Sequence, residues 1–371
     1  MRLKSYSKLD DKFSTKKFLK SLSLYRIDGY RFHKKLGGGS SLNCLYMEGE
    51  RKVVIKFLIA PRNNIELERF KQEASVLEYN HINATPDFDN YYIKTSRILI
   101  PKNSYPLPVL VHKYTNMCDG LINFFSYEYQ EGVLLSNLKT NSYTLEQKIT
   151  LLHRIASGLN YFNRLGYEHR DIHPGNILIK DNYSMPNLDL DYQKQNEPGV
   201  VFLDMGSCQK NNFYQHEAFR FERDVDEDLV FSDNNRRLLS SFVTMAPDFL
   251  QEGEKTKNYD SWSFGVYAYK LIFNEYPFDA KQIGDVNLLV NSRNFPDSFE
   301  KNLNQLEPGL KYIFKHLLSP KGNERPEIYV IVRLFSWLRF HNNRFQDPDF
   351  IKKVIHNNGE DPYHNPIDNY Y

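Results

Sequence analysis

The first half of the chain alternates short apolar runs with polar residues, a pattern typical of strands. Five such runs are YRFHKKL from residue 30, RKVVIKFL from 51, ILIPK from 98, PVLVH from 108 and LINFFSYEY from 121. One stretch, residues 65–80, instead places Phe70, Ala74 and Leu77 at helical spacing. The pattern therefore predicts a small antiparallel sheet accompanied by one main helix.

Helical spacing dominates after residue 140. The predicted helices are LEQKITLLHRIASGLNYFNRLG from residue 145, SWSFGVYAYKLIF from 261, GLKYIFKHLL from 309 and EIYVIVRLFSWLRF from 327. A sheet-rich half followed by a helical half predicts an α+β, two-lobed fold. We place the small lobe at residues 29–131 and the larger, helical lobe at 132–340.

A basic arm and a polar tail flank the two predicted lobes. Residues 1–28 carry eight Lys or Arg against three Asp, with Phe18, Leu22 and Tyr25 at helical spacing. A solvated helix packed on the main domain is the favoured interpretation of this arm, and contact with an anionic surface is the alternative. The polar, proline-containing tail, residues 341–371, is expected to be extended or partly disordered.

Composition excludes several classes of protein. The 371 residues are 41% hydrophobic and 25% charged, with a net charge of +2. That balance argues against a dedicated nucleic-acid binder. The three cysteines show no disulfide or zinc spacing, and no apolar run is long enough to span a membrane. We expect a cytoplasmic location; secretion of an effector into a host cytosol stays open.

A glycine-rich stretch, LGGGSSLNCLY at residues 36–46, precedes a strand that carries Lys56 at the end of the run VVIK. Glycine amides can approach a phosphate closely, although an ordinary hairpin turn would have the same sequence features. An inward-pointing lysine needs an anion. Glu73 on the predicted helix can supply it, or can lie on a solvated face. In this order the three features favour a phosphate site.

Two further stretches supply candidate catalytic oxygens. HRDIHPGN, residues 169–176, sets Asp171 five residues before Asn176, and VVFLDMG ends a predicted strand at Asp204. A carboxylate can accept the proton of a hydroxyl nucleophile, and carboxylate or amide oxygens suit Mg²⁺. A lysine on phosphates, Mg²⁺ and a carboxylate that aligns the nucleophile are the groups that phosphoryl transfer needs.

Taken together, these stretches resemble the eukaryotic-type protein kinases of the Ser/Thr class over residues 29–340. The resemblance implies transfer of the γ-phosphoryl group of ATP to Ser or Thr hydroxyls of a protein substrate, with Mg²⁺. It assigns ATP contacts to Leu36, Gly37, Gly38, Gly39, Cys44, Val54, Lys56, Glu128, Gln130 and Leu178. It assigns catalytic roles to Asp171, Lys56, Glu73, His173 and Ser241, and metal binding to Asn176 and Asp204.

Three positions depart from the usual kinase pattern. Leu42 replaces the third glycine of the loop, which predicts a stiffer tip, and Met205 replaces a Phe. His173 stands where Ser/Thr kinases carry a lysine that contacts the transferred phosphoryl group. We expect its imidazole to take over that contact. The alternative is that His173 packs beside the loop and bonds a backbone carbonyl.

Histidine at this position also resembles the small-molecule kinases similar to aminoglycoside and choline phosphotransferases. Those enzymes lack three elements present here, namely MAPD from residue 245, DSWSFGV from 260 and ERP from 324, in which Asp248 is the expected partner of Arg325. A protein kinase is therefore favoured. A catalytically silent scaffold is the third interpretation, but it would need a missing Lys, Asp or Asn.

Arg170 raises the question of activation. In similar kinases this arginine often binds a phosphate on the activation segment. The position that is usually phosphorylated is occupied by Arg237 in this sequence, and the nearest hydroxyls are those of Ser232 and Ser240. An acidic run occupies residues 222–228. We expect activity without upstream phosphorylation. Residues 183–199 form an insert that is expected to be an exposed loop.

Overall fold

The structure is a computed structural model, and it describes ten segments of the chain. These are residues 13–38, 40–80, 92–94, 99–101, 105–180, 199–210, 243–250, 256–278, 295–340 and 347–356. The chain divides into two compact units. Unit 1 contains residues 1–102, 107–132 and 201–208, and unit 2 contains residues 103–106, 133–200 and 209–371.

Unit 1 is built on a six-stranded antiparallel sheet in the order β1-β2-β3-β4-β8-β7. Its strands are β1 (Arg26–Ile27), β2 (Tyr30–Gly38), β3 (Leu42–Glu48), β4 (Arg51–Ile59), β7 (Leu110–Met117) and β8 (Ile122–Glu128). A separate antiparallel pair joins β5 (Tyr92–Lys94) to β6 (Leu99–Pro101). All five predicted apolar runs overlap strands, which confirms the sheet-rich first half.

One face of the sheet packs against the N-terminal helix, α1 (Phe13–Ser21). Cys44 lies opposite Ile55, and both belong to a buried cluster that includes Leu19 of α1. The helix ends before Ser23, which adopts a positive φ of 59°, so Leu22 and Tyr25 lie beyond it. The basic arm thus carries a helix packed on the sheet, as the favoured interpretation has it, but a shorter one than the spacing suggested.

The opposite face of the sheet packs against the main helix of this unit, α2 (Asn64–Tyr79). Residues of β4 that alternate with the α1-facing positions point here, because side chains alternate along a strand. Phe125 of β8 packs on Phe70 of α2 with ring centroids 4.9 Å apart. Asn63 caps the helix by accepting a hydrogen bond from the Glu66 amide at 2.9 Å. The cap and the buried aromatic pair fix where α2 begins and how its buried face meets the sheet.

Unit 2 is mainly helical. Its helices are α3 (Leu145–Arg164), α4 (Tyr259–Phe273), α5 (Asp297–Leu303), α6 (Pro308–Leu317), α7 (Ile328–Phe340) and α8 (Pro348–His356). The short strands after β8 are β9 (Gly132–Leu134), β10 (Tyr167–Glu168), β11 (Ile177–Lys180), β12 (Val200–Phe202) and β13 (Gln209–Lys210). A reciprocal capping box between Thr144 and Gln147 starts α3. The sheet-bearing unit and the helical unit are the α+β, bilobal fold that the sequence predicts.

The tail departs from the sequence expectation. Residues 348–356 form α8 instead of an extended segment, and Phe350, Ile351 and Val354 are buried on one of its faces. The expectation rested on overall polarity, which hid three apolar residues at helical spacing. In the part of the chain that the structure describes, no helix combines the length and the apolar character needed to cross a membrane.

Several sequence predictions fall outside the described residues. They concern Gly39, Ser241, residues 183–198 of the insert, and residues 211–242 of the activation segment, which hold Ser232, Arg237, Ser240 and the acidic run. They stay predictions.

Candidate active site

A buried lysine and two carboxylates form the charged centre of unit 1. Lys56 of β4 is 5% exposed and its Nζ lies 2.5 Å from Oε2 of Glu73, which is 3% exposed. The same Nζ lies 3.4 Å from Oδ1 of Asp204. Glu73 is one position before Ala74 on the buried stripe of α2, so helix packing carries its carboxylate inward. The expected pairing of Lys56 with Glu73 is present in the structure.

One ammonium group has to compensate two carboxylates here. Burial acts to lower the pKa of Lys56, but the carboxylates of Asp204 and Glu73 outweigh it and raise that pKa above its usual value. Burial also raises the pKa of Glu73 to about 7, although Lys56 opposes this shift. Lys56 is therefore held as a cation, and Glu73 is the member of the cluster whose charge is most sensitive to its surroundings.

Asp204 reaches the cluster from a tight turn. Its backbone adopts the left-handed conformation, with φ 59° and ψ 70°, which Asp tolerates better than most residues. Its side chain is 54% exposed, so one oxygen can face Lys56 while the carboxylate stays open to a ligand. Met205 is buried, and a Cβ at Gly206 would lie 3.4 Å from the Arg69 carbonyl oxygen. Met205 in place of the usual Phe, and the glycine at position 206, are both compatible with this tightly packed turn.

The register of the glycine-rich hairpin corrects one sequence prediction. Cys44 lies opposite Ile55, on the α1 side of the sheet, whereas Leu45 lies opposite Val54 and Asn43 opposite Lys56. The β3 residues that share a face with Val54 and Lys56 are therefore Asn43 and Leu45. The motif alone does not reveal this, because the register of β3 against β4 is fixed by the two-residue turn at Gly49 and Glu50, which joins Glu48 to its partner Arg51.

Leu42 helps to fix the hairpin on the sheet. It lies opposite both Gly38 and Phe57, and it is fully buried. The residue that replaces the usual third glycine therefore acts as an apolar anchor, and the stiffer loop tip stays a prediction. Leu36 is 41% exposed, and a Cβ at Gly37 would meet nothing within 4 Å. The backbone at Gly37 is thus accessible to a ligand.

The segment after β8 carries the predicted adenine contacts. The amide of Glu128 donates to the Val109 carbonyl at 2.8 Å, and the amide of Tyr129 donates to the Lys52 carbonyl at 3.1 Å. No described residue accepts a hydrogen bond from the Gln130 amide, which is the donor assigned to adenine. Tyr127 lies opposite Val54, so it shares the face that bears Lys56.

In unit 2, Asp171 and Asn176 are joined directly. The amide nitrogen of Asn176 donates to the backbone oxygen of Asp171 at 3.1 Å and to its Oδ2 at 3.0 Å. Both contacts require a donor, since both partners are acceptors, and this fixes which way the amide points. Its carbonyl oxygen is directed away from Asp171, and Asn176 therefore fits the role of a ligand for Mg²⁺.

His173 contacts the backbone through one ring nitrogen. Its Nδ1 accepts a hydrogen bond from the Gly175 amide at 3.1 Å. A neutral ring must then carry its proton on Nε2, which lies 3.8 Å from Oδ2 of Asp171. The expected alternative, a bond to a backbone carbonyl, is not what the structure contains. The ring is 26% exposed on its side chain, so an Nε2–H donor is available beside the carboxylate.

Asp260, at the start of α4, holds the backbone of the catalytic loop. Its Oδ2 accepts from the His169 amide at 2.8 Å, and its Oδ1 accepts from the Arg170 amide at 2.9 Å. Arg170 itself has a positive φ of 63°. The DSWSFGV stretch therefore acts on the loop through a buried carboxylate, a role that its position in the sequence did not reveal.

The side chain of Arg170 lies among partners within unit 2. Its Nε is 3.5 Å from Oε2 of Glu168, and its guanidinium lies 5.5 Å from the ring centroids of both Phe249 and Tyr259. Burial raises the pKa of Glu168 to about 7, and the Asp260 carboxylate adds to this shift while Arg170 opposes it. One carboxyl group and two aromatic rings thus surround the arginine.

The predicted partnership of Asp248 with Arg325 is present. Nη2 of Arg325 lies 2.6 Å from Oδ1 of Asp248, and both residues are buried. The same nitrogen donates to the Lys257 carbonyl at 2.7 Å. Trp262 donates to the Val243 carbonyl at 3.4 Å, and Ser263 donates to the Thr244 carbonyl at 2.7 Å. The last two bonds tie α4 to the two residues that precede the MAPD segment.

Comparison with known proteins agrees with this arrangement. The family model of the protein kinase domain matches residues 30–334, so the chain belongs to the protein kinase domain family. A candidate serine/threonine-protein kinase of Acanthamoeba polyphaga mimivirus is 26% identical over 193 residues, 50% of this chain and 38% of that protein.

Two further relatives carry kinase names. A calcium and calcium/calmodulin-dependent serine/threonine-protein kinase of Medicago truncatula is 25% identical over 217 residues, 58% of this chain and 34% of that protein. Flippase kinase 1 of Saccharomyces cerevisiae is 25% identical over 177 residues, 46% of this chain and 18% of that protein. The match to the first two relatives spans little more than a third of their length.

Proposed function

We propose that this chain is an ATP- and Mg²⁺-dependent protein kinase that phosphorylates Ser or Thr hydroxyls of protein substrates. The observation that carries the proposal is the buried contact of Lys56 with Glu73 and Asp204. A cation held at that depth by two carboxylates suits the α- and β-phosphates of a nucleotide. Membership of the protein kinase domain family supports it.

Each unit contributes separate groups to this reaction. In unit 1, Lys56 would orient the phosphates, and Val54 with Leu45 would form an apolar surface for adenine, whose edge would meet the Glu128 carbonyl and the Gln130 amide. Leu178 of β11 keeps its assigned role beneath the base. Asp204 and Asn176 are the residues that would each offer an oxygen to Mg²⁺, whose chemistry would be to neutralise charge on phosphoryl oxygens.

In unit 2, Asp171 would align the acceptor hydroxyl and take up its proton. His173 would donate from Nε2 to the transferred phosphoryl group, because Nδ1 is already occupied by the Gly175 amide. Ser241, which lies outside the described residues, keeps its assigned role of steadying Asp171. We favour a cytoplasmic site of action for such an enzyme.

Peptide substrates are favoured over small molecules because of the Asp248–Arg325 pair and the bonds from Trp262 and Ser263 to the residues just before the MAPD segment. The resemblance assigns these elements to the docking of a peptide. The names of the relatives give Ser/Thr specificity as a property of those proteins, and we extend it to this chain.

The test is to incubate the purified chain with labelled ATP, Mg²⁺ and a generic Ser/Thr substrate, with an aminoglycoside and choline in parallel reactions. Mass spectrometry should locate the label on Ser or Thr of the protein substrate, and an Asp171→Asn variant should give none. Label found only on the small molecules would replace the proposal with a small-molecule kinase. Nucleotide binding without transfer to any acceptor would favour a scaffold.

A further inference from the structure

A group of cations surrounds one tyrosine at the outer edge of unit 1. Lys16 and Lys20 of α1 place their Nζ atoms 5.6 Å and 5.2 Å from the ring centroid of Tyr25, and the Arg31 guanidinium lies at 5.3 Å. Nε of Arg31 also donates to the Tyr25 hydroxyl at 2.7 Å. This group is called the Tyr25 cluster below, and it comprises Lys16, Lys20, Tyr25 and Arg31.

The cations of this region form no ion pair with a carboxylate of the described residues. Among the described residues, no Asp or Glu lies within 4.0 Å of a charged nitrogen of Lys16, Lys20 or Arg31. Arg26 lies directly opposite Arg31 on β1 and β2, and like charges in that position destabilise a sheet. A fold that gathers cations in this way is stabilised when an anion binds among them.

The Tyr25 cluster also borders a cavity. The cavity has a volume of about 300 Å³ and is lined by Lys16, Tyr25, Arg31, Phe32, His33 and Met47. It therefore combines basic groups with the aromatic and thioether surface of three other side chains. A volume of this order accommodates a small ligand, since pockets for small molecules begin at roughly 300 Å³.

The donor geometry favours phosphate over a single carboxylate. Nε of Arg31 is engaged by Tyr25, and no described residue accepts a hydrogen bond from its two terminal nitrogens. Those nitrogens can bind two oxygens of one phosphate while the lysines contribute point charges. A phosphate monoester carries a charge of about −1.5 to −2 at neutral pH, which suits several converging cations.

The electrostatic environment of Tyr25 also favours an anionic ligand. The hydrogen bond from Arg31 lowers the pKa of the Tyr25 hydroxyl, burial opposes this, and the charges of Arg31, Lys16 and Lys20 lower it further. Negative charge is thus favoured at the centre of the cluster.

We propose that the cavity beside the Tyr25 cluster is a binding site for a phosphate monoester, presented either by a soluble phosphorylated ring compound or by a phosphorylated lipid headgroup. The site belongs to the basic arm and to strands β2 and β3. It goes beyond the proposed kinase reaction, because none of its residues has a role in phosphoryl transfer.

The experiment uses the full chain and two probes. Inositol trisphosphate, a soluble phosphorylated ring, is titrated by calorimetry. Binding to phosphatidylcholine vesicles that contain phosphatidylinositol phosphate is measured by co-sedimentation, beside phosphatidylserine vesicles of matched surface charge. Arg31→Gln should weaken binding about tenfold or more, since charge-assisted bonds of this kind are strong. Lys17→Gln is the matched control, because Lys17 is an exposed lysine on the same helix that does not line the cavity.

The outcomes distinguish a soluble phosphorylated ligand from a phosphorylated lipid headgroup. Saturable binding of the soluble probe, lost in Arg31→Gln and kept in Lys17→Gln, supports the site with a soluble ligand. Binding to phosphatidylinositol phosphate vesicles alone, with the same loss, supports it with a lipid headgroup. Equal binding to phosphatidylserine vesicles and equal loss in both variants would show a diffuse basic surface and overturn the proposal, as would binding of neither probe. Unchanged phosphoryl transfer by both variants checks that they are folded.

Discussion

The charged residues of the two units are held in place by different means. In unit 1, Lys56 and Glu73 are almost fully buried, at 5% and 3% exposure, and their position depends on mutual charge compensation. In unit 2, the side chains of Asp171 and His173 are 22% and 26% exposed, and hydrogen bonds to backbone atoms hold the loop. The first site is therefore sensitive to net charge, and the second to hydrogen-bond geometry.

This difference teaches what each substitution tests. Removing one partner in unit 1 leaves a carboxylate in a medium of low dielectric, which a shift in pKa can relieve by protonation. Removing a hydrogen-bonding group in unit 2 leaves a backbone N–H without its acceptor, and a change of protonation cannot compensate for that loss. Replacing a charged residue of the unit 1 site by an uncharged one should therefore leave the protein folded but impair phosphoryl transfer.

The largest effect is expected for Lys56→Met. Turnover with a protein substrate should fall at least about 10³-fold, since losing one well-placed donor already costs about 10² to 10³ in kcat and this change also removes the only cation between Glu73 and Asp204 described in the structure. The variant should stay folded, because Glu73 can be protonated. Single-turnover assays and a melting curve measure the two expectations.

Lys52→Met is the matched control for that experiment. Lys52 lies on the same strand as Lys56, is exposed, and pairs with Glu131 at 2.6 Å. Its loss should leave turnover close to that of the wild type, since exposed pairs contribute little. If Lys56→Met kept comparable turnover, the assignment of the phosphate-binding lysine would be wrong.

The next largest effect is expected for His173→Ala. Loss of the Nε2–H donor should reduce kcat by roughly 10² to 10³ while KM for ATP changes little, because the contact matters most in the transition state. His173→Lys should retain substantial activity, since lysine can act as a point charge on phosphate. An alanine variant with normal kcat and an unchanged pH profile would mean that the ring only caps the Gly175 amide.

The sequence predicts the order of strands and helices and the pairing of Lys56 with Glu73, because these follow from periodicity and from motif order. It does not predict which β3 residues share a face with Lys56. The turn between Glu48 and Arg51 sets the register that places Leu45 rather than Cys44 opposite Val54, and a motif match does not record that register.

Tertiary effects of this kind also explain the other differences. The support of His169 and Arg170 by Asp260 joins residues 90 or more positions apart, so spacing alone cannot reveal it. The tail was expected to be extended because of its polarity, yet three apolar residues of α8 are buried. Average composition hides a short amphipathic helix whose stability comes from packing.

A smaller effect is expected from the pH dependence of stability at Glu168. Its folded-state pKa is raised from 4.5 to about 7, so the folded protein holds a proton that the unfolded chain has already lost between these values. This contribution to stability is fully present below about pH 4.5 and lost as the pH rises to about 7. Its upper bound is about 3 kcal/mol at about 1.4 kcal/mol per unit of pKa.

Denaturant unfolding of wild type and Glu168→Gln, near pH 5 and near pH 8, measures this term. The free energy of unfolding of the wild type should fall more between the two conditions than that of the variant. Glu50→Gln, in the exposed turn between β3 and β4, controls for loss of a carboxylate. Identical pH dependence in wild type and Glu168→Gln would show that Glu168 is not buried in its neutral form.

The smallest effect is expected from removing phosphate on the activation segment. Arg170 is already surrounded by Glu168, Phe249 and Tyr259. Phosphatase-treated protein and a double variant, Ser232→Ala with Ser240→Ala, should therefore both retain activity within about twofold, because Glu168 and the two rings already hold the arginine in place. Initial rates with a generic substrate, measured before autophosphorylation accumulates, test this. Complete inactivity of the treated protein, restored by phosphorylating Ser232 or Ser240, would mean that a phosphate displaces Glu168 as the partner of Arg170.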